Sequence, residues 1–390
     1  MRILHTSDWH LGRSFHREGM LTHQAAYVDH LLEVVDAERV DLVVVAGDIY
    51  DRALPPVDAV RLADESLVRL AASRAKVVLT SGNHDSAQRL GFSSRLIDAA
   101  GVFIRADASG AGVPVELDDE HGPVAVYGLP YLDPHAVAEP WRLPERSHHA
   151  ALAEAMTRVR ADLATRSPAT RSVVLAHAFV TGAQPSDSER DISVGGVARV
   201  PTEVFGGVDY AALGHLHGRH TLTDTIRYSG SPLAYSFSEA GHRKGSWLVE
   251  LGADGLVGAE FVDAPVPRPL ARLRGPLDDL LSDPTLSAHE GSWVEATLTD
   301  AVRPVQAMDR LRDRFPHALM LAFDSGPSVS GLAPVVPTAT RTDHDIAREF
   351  VTDMRGEPPT DDEAALLHRA IDACCEDADV DTLVSEEASA

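Results

Sequence analysis

The sequence predicts an α/β fold of β-sheets flanked by helices, followed by a small second α/β unit and a helical tail. Short runs rich in Val and Leu (Leu42 to Ala46, Val77 to Thr80, Val173 to Ala176, Tyr210 to Leu213) each end in Gly or a polar residue. That is the pattern of strands buried in a parallel or mixed sheet. Stretches of helical periodicity lie between them. Polar motifs close the strands in a fixed order: Asp8-Trp9-His10, Gly47-Asp48 with Asp51, Gly82-Asn83-His84-Asp85, Ala176-His177, Gly214-His215 and His217. The polar residues therefore gather at strand ends, the rim where open α/β sheets bind ligands.

The elements follow in order. Arg2-Ile3-Leu4-His5 leads straight into the first motif, so residue 1 already begins the fold and no signal peptide precedes it; His5 reads as structural. Pro55 to Ala72 is expected to be a helix with Val57, Val60, Leu67, Val68 and Ala71 on its apolar side, started by Pro55 and Pro56. Ser86 to Ala100 reads as one helix with Leu90, Leu96, Ile97 and Ala100 inward, and Glu145 to Thr165 as another. Ala183 to Gly196 is a polar loop placed to frame a substrate. The run Ala264-Pro265-Val266-Pro267-Arg268-Pro269 marks a boundary. Beyond it come a short apolar stretch, Leu270 to Leu273, and a helix at Leu277 to Leu281. A strand Trp293 to Leu298, a helix Val302 to Phe315 and a strand Ala318 to Phe323 complete the unit. Two helices close the chain. Asp343 to Met354 presents Ile346, Phe350, Val351 and Met354; the next, capped by Thr360 and Glu363, presents Leu366, Leu367, Ala370, Ile371 and Cys374. The expected division is 1–265, 268–324, a linker 325–341, and 342–390.

Two Asp, one Asn and four His converging on one rim suit two divalent cations about 3.5–4 Å apart. A mixed carboxylate, amide and imidazole set fits Mn²⁺, Fe²⁺ or Zn²⁺ better than an all-oxygen Ca²⁺ cage. The two cysteines, Cys374 and Cys375, lie outside the motifs and give no disulfide framework. No 18-residue apolar run occurs, so no membrane helix is expected, and the reading is cytoplasmic. The net charge of −24 is unusual for a nucleic-acid binder, but residues 361–390 hold ten acidic residues against the single basic Arg369. Arg13, Arg17, Arg52, Arg89 and Arg219 stand beside the motifs as candidate phosphate contacts. No Walker motif is present, so an ATP-driven step would belong to a partner.

The order Asp-x-His, Gly-Asp-x-x-Asp, Gly-Asn-His-Asp, Ala-His, Gly-His-x-His resembles the calcineurin-like metallophosphoesterases. Ser7-Asp8-Trp9-His10-Leu11-Gly12, Ala212-Leu213-Gly214-His215-Leu216-His217 and Tyr228-Ser229-Gly230-Ser231-Pro232 resemble, within them, the nuclease subunits of the bacterial SbcCD double-strand-break repair complex. The resemblance is strong over roughly residues 1–250. It implies a metallophosphoesterase sandwich, a small α/β capping domain and a C-terminal helical tail. It also implies Mn²⁺-dependent double-strand exonuclease and single-strand endonuclease activity, with a phosphatase or small-molecule phosphodiesterase of the same superfamily as the alternative. Asp8, His10, Asp48 and His217 would hold one metal and Asp48, Asn83, His177 and His215 the other, with Asp48 bridging. His84 would act as general acid or transition-state stabiliser, oriented by Asp51. The implied partners are DNA, an SMC-like ABC ATPase (SbcC) clasped by the C-terminal helices, and a second copy of the chain within a heterotetramer. The two helices after the second and third motifs are candidates for that dimer contact, or simply cover the sheet.

Overall fold

The structure is a computed structural model that describes residues 1–189, 192, 200–324 and 342–386, without the side chains of 353 and 374–386. The expected linker 325–341, Gly195-Gly196 and the Cys374 side chain lie outside the described residues. The chain divides into two compact units, Met1–Arg272 with Gly291–Glu295, and Leu273–Glu290 with Ala296–Ala390.

The first unit opens with β1 (Arg2–Thr6), a short hairpin of β2 (Ser14–Phe15) and β3 (Glu18–Gly19), and α1 (Leu21–Ala37). Next come β4 (Leu42–Ala46), α2 (Val57–Ala72), β5 (Lys76–Thr80), the single-turn helices α3 (Ala87–Leu90) and α4 (Ser94–Ile97), and β6 (Val102–Arg105). Its second half runs β7 (Val115–Asp119), β8 (Gly122–Leu129), α5 (Pro134–Trp141), α6 (His148–Leu163), β9 (Arg171–His177) and β10 (Tyr210–Gly214). It ends with β11 (His220–Thr221), β12 (Ile226–Tyr228), β13 (Gly245–Gly252) and β14 (Gly255–Asp263). These strands form two six-stranded sheets, β14-β13-β1-β4-β5-β6 and β11-β12-β10-β9-β8-β7. Each has a parallel centre and an antiparallel edge.

Strand parity explains the layering, because alternate residues face opposite sides of a sheet. Leu42 and Val44 of one sheet meet Val124, Val126, Val173 and Leu175 of the other in a shared core. Val43 and Val45 turn outward to Tyr27, Leu31 and Val35 of α1 and to Ala59, Ala63 and Leu70 of α2. Val174 and Ala176 turn outward to Ala155, Met156 and Val159 of α6. Runs buried on both faces are apolar at every position, which is why the sequence shows them so plainly.

The structure adds a helix and corrects two expectations here. Helix α1, for which the sequence reading makes no provision, buries Gln24, Tyr27, Val28, Leu31, Val34 and Val35. In α2 the inward face is made of small residues, Ala59, Ala63 and Ser66 with Leu70; of the expected apolar residues Leu67 and Ala71 pack partly against the core, while Val57, Val60 and Val68 are exposed. The close approach of the chain explains this: a Cβ at Gly12 would come within 2.9 Å of the Ala59 Cβ. The stretch 86–100 is not one helix. Gly91 to Ser93 break it, with Ser93 at φ +61°.

Beyond 265, β15 (Leu270–Gly275), α7 (Leu277–Ser282), β16 (Trp293–Leu298), α8 (Ala307–Arg314) and β17 (Ala318–Phe323) follow, the strands pairing in the order β15-β16-β17. Helix α8 starts later than the expected Val302, after Pro304 and a left-handed Gln306 at φ +53°. The tail holds α9 (Asp343–Arg355) and α10 (Asp361–Glu386). Thr342 and Asp345 form a capping box on α9, and Thr360 pairs reciprocally with Glu363 at the start of α10. No helix among the described residues is long and apolar enough to cross a membrane.

Candidate metal centre

The motif loops follow the C-terminal ends of β1, β4, β5, β9 and β10, and their backbones are strained. Asp8 (φ +53°), His10 (+47°), Asp48 (+50°) and His215 (+105°) all sit at positive φ without being glycine. Each such residue costs on the order of 1–3 kcal/mol and persists only where its surroundings over-determine it. Here the loops are tied to one another. Asp8 N–H donates to Gly47 O (3.1 Å), His10 N–H to Asp48 O (3.0 Å) and His84 N–H to Asp48 Oδ1 (2.9 Å). His215 N–H donates to Asp8 Oδ1 (3.0 Å), joining the rims of both sheets. Gly47 is required twice over: its φ is +83°, and a Cβ there would fall 2.2 Å from His177 Nδ1.

The side chains meet in overlapping groups. Asp8, His10 and His217 bring one donor atom each within 4.8 Å of the others, as do Asp8, Asp48 and His177, and His10, Asp48 and His84. His10 Nε2 lies 3.0 Å from His217 Nε2 and 3.6 Å from Asp48 Oδ2. His177 Nε2 lies 2.9 Å from Asn83 Oδ1 and 3.4 Å from Asp48 Oδ2, and His215 Nδ1 lies 3.1 Å from Asn83 Oδ1. The structure thus brings together all seven residues read as ligands, with His84 beside them.

Outer partners decide which ring atoms turn inward. His177 Nδ1 donates to Ala46 O (3.0 Å), which turns Nε2 toward Asn83 and Asp48. His217 Nδ1 is likewise engaged by Ser188 Oγ at 2.5 Å, which turns its Nε2 toward His10. Buried His10 Nδ1 and Asn83 Nδ2 have no hydrogen-bond partner. Burial and these pairings also set the titration behaviour. Burial pushes the Asp8 carboxyl up to about 6, against the pull of His177 and His217. Burial opposes ionisation of Asp48 too, but His177, His10 and His84 hold it well below the usual carboxylate range. Burial would lower His177; Asp48 and Asp8 instead raise it to about 9. Burial holds His10 and His215 well below the ordinary imidazole value. A proton on His177 is the positive charge the carboxylates demand when no cation supplies it. Lone pairs from carboxylate, amide and imidazole turned on a common space are what divalent cations require, and the residues present fit them.

His84 is held differently from the expectation. Its Nδ1 donates to the backbone carbonyl of Asp51 at 2.8 Å. The Asp51 carboxylate is directed to His10 Nδ1 (3.8 Å) and Arg13 Nε (3.6 Å). Asp85, the last residue of its motif, is scaffold: its carboxylate accepts Ile49, Tyr50 and Gly82 N–H and so clamps two motif loops together. His5 is also scaffold, bonding Tyr210 Oη and Leu213 O.

Behind His217 lies a buried network that sequence reading missed. Glu239 is 1% exposed; its carboxylate bonds Ser188 Oγ and Lys244 Nζ and lies 3.5 Å from His217 Nδ1. Lys244 Nζ also donates to His217 O and Ser231 Oγ, both at 2.9 Å. Glu189 Oε1 accepts His217 N–H at 2.7 Å. This fixes the ring and its tautomer as a carboxylate behind a metal-ligating imidazole does. Burial opposes ionisation of Glu239, yet Lys244 and His217 hold it well below the usual range. Ser7 Oγ bonds the Asp8 carboxylate (2.5 Å) and Ser229 Oγ (2.8 Å), which accounts for part of the Ser229-Gly230-Ser231 stretch. A lone Glu or Lys carries no spacing signal, so no motif could have found this pair.

The candidate phosphate-binding arginines divide. Arg17, Arg52 and Arg89 are exposed. Arg13 turns inward to Ser188 O (2.7 Å), and Arg219 stacks over Phe261 and Trp247. In the tail, Ile346, Phe350, Met354 and Leu366 are exposed, and Val351, Leu367 and Ile371 are partly covered. A surface groove of about 450 Å³ between α9 and α10 is lined by Ile346, Phe350, Val351, Leu367 and Ile371.

The family model for calcineurin-like phosphoesterases matches residues 1–219. The chain belongs to the calcineurin-like phosphoesterase family. A second model, the SbcD-type C-terminal domain (described as the type 5 capsule protein repressor C-terminal domain), matches residues 266–355. The two together are the arrangement of SbcD. Among solved structures, TT1561 of Thermus thermophilus is 13% identical, with 67% of this chain and 98% of that one covered and a TM-score of 0.38. A dimetal phosphatase from Danio rerio is 16% identical over 68% and 99%, at a TM-score of 0.39. GAP50, the anchor in the inner membrane complex of Plasmodium, is 13% identical over 84% and 99%, at 0.41. At those TM-scores the three carry no argument about function.

Proposed function

We propose that this phosphoesterase is a DNA phosphodiesterase, cutting duplex ends as an exonuclease and single strands as an endonuclease, within a cytoplasmic complex with an SMC-like ABC ATPase of the SbcC type. The observation that carries the catalytic half is the convergence of buried carboxylate, amide and imidazole ligand atoms around Asp48, with the His84 imidazole beside them. The SbcD-type domain at 266–355 supports the DNA-processing half.

Asp8, His10 and His217 would hold one cation and Asn83, His177 and His215 a second, with Asp48 shared; Mn²⁺ suits this mixed set. When bound, two such cations lower the pKa of water and neutralise charge on the phosphoryl oxygens. The chain's own residues do the rest. Ser188, Glu239 and Ala46 O keep His217 and His177 in the tautomers that face inward. His84, its Nδ1–H fixed on Asp51 O, takes or gives a proton at Nε2. As a water oxygen bonds phosphorus and the ester P–O bond breaks, protonated His84 supplies the leaving oxygen with its proton. Asp51, through its carbonyl, positions that ring.

Exposed Arg17, Arg52 and Arg89 are the candidates for backbone phosphates, and the overall charge of −24 leaves most of the grip on DNA to the partner. Leu54, Val57, Val60, Val68, Phe92 and Leu96 are exposed apolar residues suited to a homodimer contact. Ile346, Phe350, Met354 and Leu366 suit a helix-in-groove contact with the ATPase. The test is cleavage of end-labelled duplex and single-stranded DNA with Mn²⁺, Mg²⁺ or EDTA, beside bis-p-nitrophenyl phosphate and a His84→Ala control. Mn²⁺-dependent DNA cleavage absent from the control is expected. Hydrolysis of the small ester alone would replace this reading with a small-molecule phosphodiesterase.

A further inference from the structure

A second cluster of metal-ligating side chains lies in the tail. His344 stands in the first turn of α9, and His368 and Asp372 stand one turn apart on α10. His344 Nε2 is 3.1 Å from Asp372 Oδ1, and His368 Nε2 is 3.8 Å from Asp372 Oδ2. One donor atom from each lies within 4.8 Å of the others. We propose that His344, His368 and Asp372 form a zinc-type transition-metal site that clips α9 to α10. It shares no residue with the centre around Asp48 and lies at the surface where that centre is buried.

The distances suit such an ion. Imidazole nitrogen and carboxylate oxygen bind zinc at about 2.0–2.2 Å, so ligands around a tetrahedral ion stand roughly 3.3 Å apart. The observed 3.1 and 3.8 Å bracket that spacing. The two imidazole rings lie 3.7 Å apart between centroids, with the carboxylate reaching both, so seating an ion would part the rings while keeping all three ligands. Exposed histidine–carboxylate pairs contribute little by themselves. Two imidazoles from different helices gathered on one carboxylate supply three legs of a coordination sphere. Its fourth position would be open to water or to a partner's side chain.

The surroundings give the clip a purpose. The α9–α10 pair buries little of its own apolar surface: Ile346, Phe350, Met354 and Leu366 are all exposed. Two helices with so little shared core are marginal alone, and a structural metal is a common remedy in small units. Leu367, the neighbour of His368, lines the apolar groove between the helices, so an ion here would also fix the geometry of that groove.

The test uses the full chain, titrated with Zn²⁺ by calorimetry, with amide hydrogen exchange followed over 343–373. Four proteins are compared: the parent, His344→Gln, His368→Gln and Asp48→Ala. Glutamine keeps helix propensity while removing the imidazole. The expected result is one zinc equivalent fewer in each glutamine variant, or affinity for it at least 10-fold weaker, with loss of the zinc-dependent protection of 343–373. Asp48→Ala should keep that protection, which separates the tail site from the rim. Equal zinc binding and equal protection in the parent and the two glutamine variants would overturn the proposal. So would absence of zinc-dependent protection in Asp48→Ala.

Discussion

The two ends of β9 place buried charge in opposite ways. At its start, Arg171 meets a complement: its guanidinium donates to both oxygens of Asp119, at 2.5 and 2.9 Å, and to the carbonyls of Gly122 and Gly252. Asp119 is answered by fixed cations of the chain, Arg171 and the N-terminal ammonium, although Arg171 Nε itself has no partner. At its end, His177 enters a cluster in which two carboxylates are paired only with histidines, and four loop residues hold positive φ without being glycine. The first arrangement balances its carboxylate with permanent charge. The second can balance its carboxylates only with protons on imidazoles or with bound cations. Burial alone therefore does not mark a functional site; buried carboxylates left without a permanent cation do.

Substitutions can break this comparison, beginning at the unbalanced end. Asp48→Ala removes the carboxylate shared by both halves of the cluster, so metal binding and hydrolysis should fall together by orders of magnitude, measured by metal analysis and phosphodiester turnover. A full metal complement in that variant would refute the shared role. His84→Ala should retain its metal while hydrolysis falls about 10²–10⁴-fold, the usual worth of a positioned general acid. Unchanged turnover would remove His84 from the chemistry. Glu239→Gln acts one step further back. Outer partners of ligands are typically worth about 10–100-fold in metal affinity or activity, so excess metal should rescue much of its turnover.

At the balanced end, Asp119→Asn should leave metal stoichiometry intact. It should cost about 3–5 kcal/mol in stability, because Arg171 would remain buried with half its partner gone. The pH dependence has a definite sign. Burial opposes ionisation of Asp119, but Arg171 and the N-terminal ammonium hold its carboxyl well below the usual range. A group with a depressed folded pKa contributes stability above its unfolded pKa and loses it as pH falls. The parent should therefore lose stability as pH drops below about 4, the ordinary carboxylate value. The acid limb of Asp119→Asn should be flatter, as followed by chemical denaturation at each pH.

What was legible in the sequence follows the same physics. Strands buried on both faces, such as Leu42–Ala46 and Tyr210–Gly214, are apolar throughout and announce themselves. The ligand motifs are legible because each must sit where a strand ends. Helix α2 misled for the opposite reason: a helix lying close to its sheet buries Ala59, Ala63 and Ser66, and its larger valines face outward. Hydrophobicity without size turns the valines to the wrong side, although Leu67 and Ala71 do pack against the core. The break in 86–100 depends on a left-handed Ser93, which nothing in a serine foretells. Glu239 and Lys244 are five residues apart in the chain, but their tie to His217 exists only once β10, β13 and the loop carrying Ser188 are assembled. Asp51 belongs in the same class: its carbonyl, invisible to any side-chain motif, holds His84.

The most direct measurement is a crystal grown with Mn²⁺ and examined by anomalous scattering at the rim. The account predicts two peaks about 3.5–4 Å apart, with Asp48 reaching both. One should lie against Asp8, His10 and His217, the other against Asn83, His177 and His215. No peak among these residues at saturating Mn²⁺, or a single peak bound without Asp48, would contradict it.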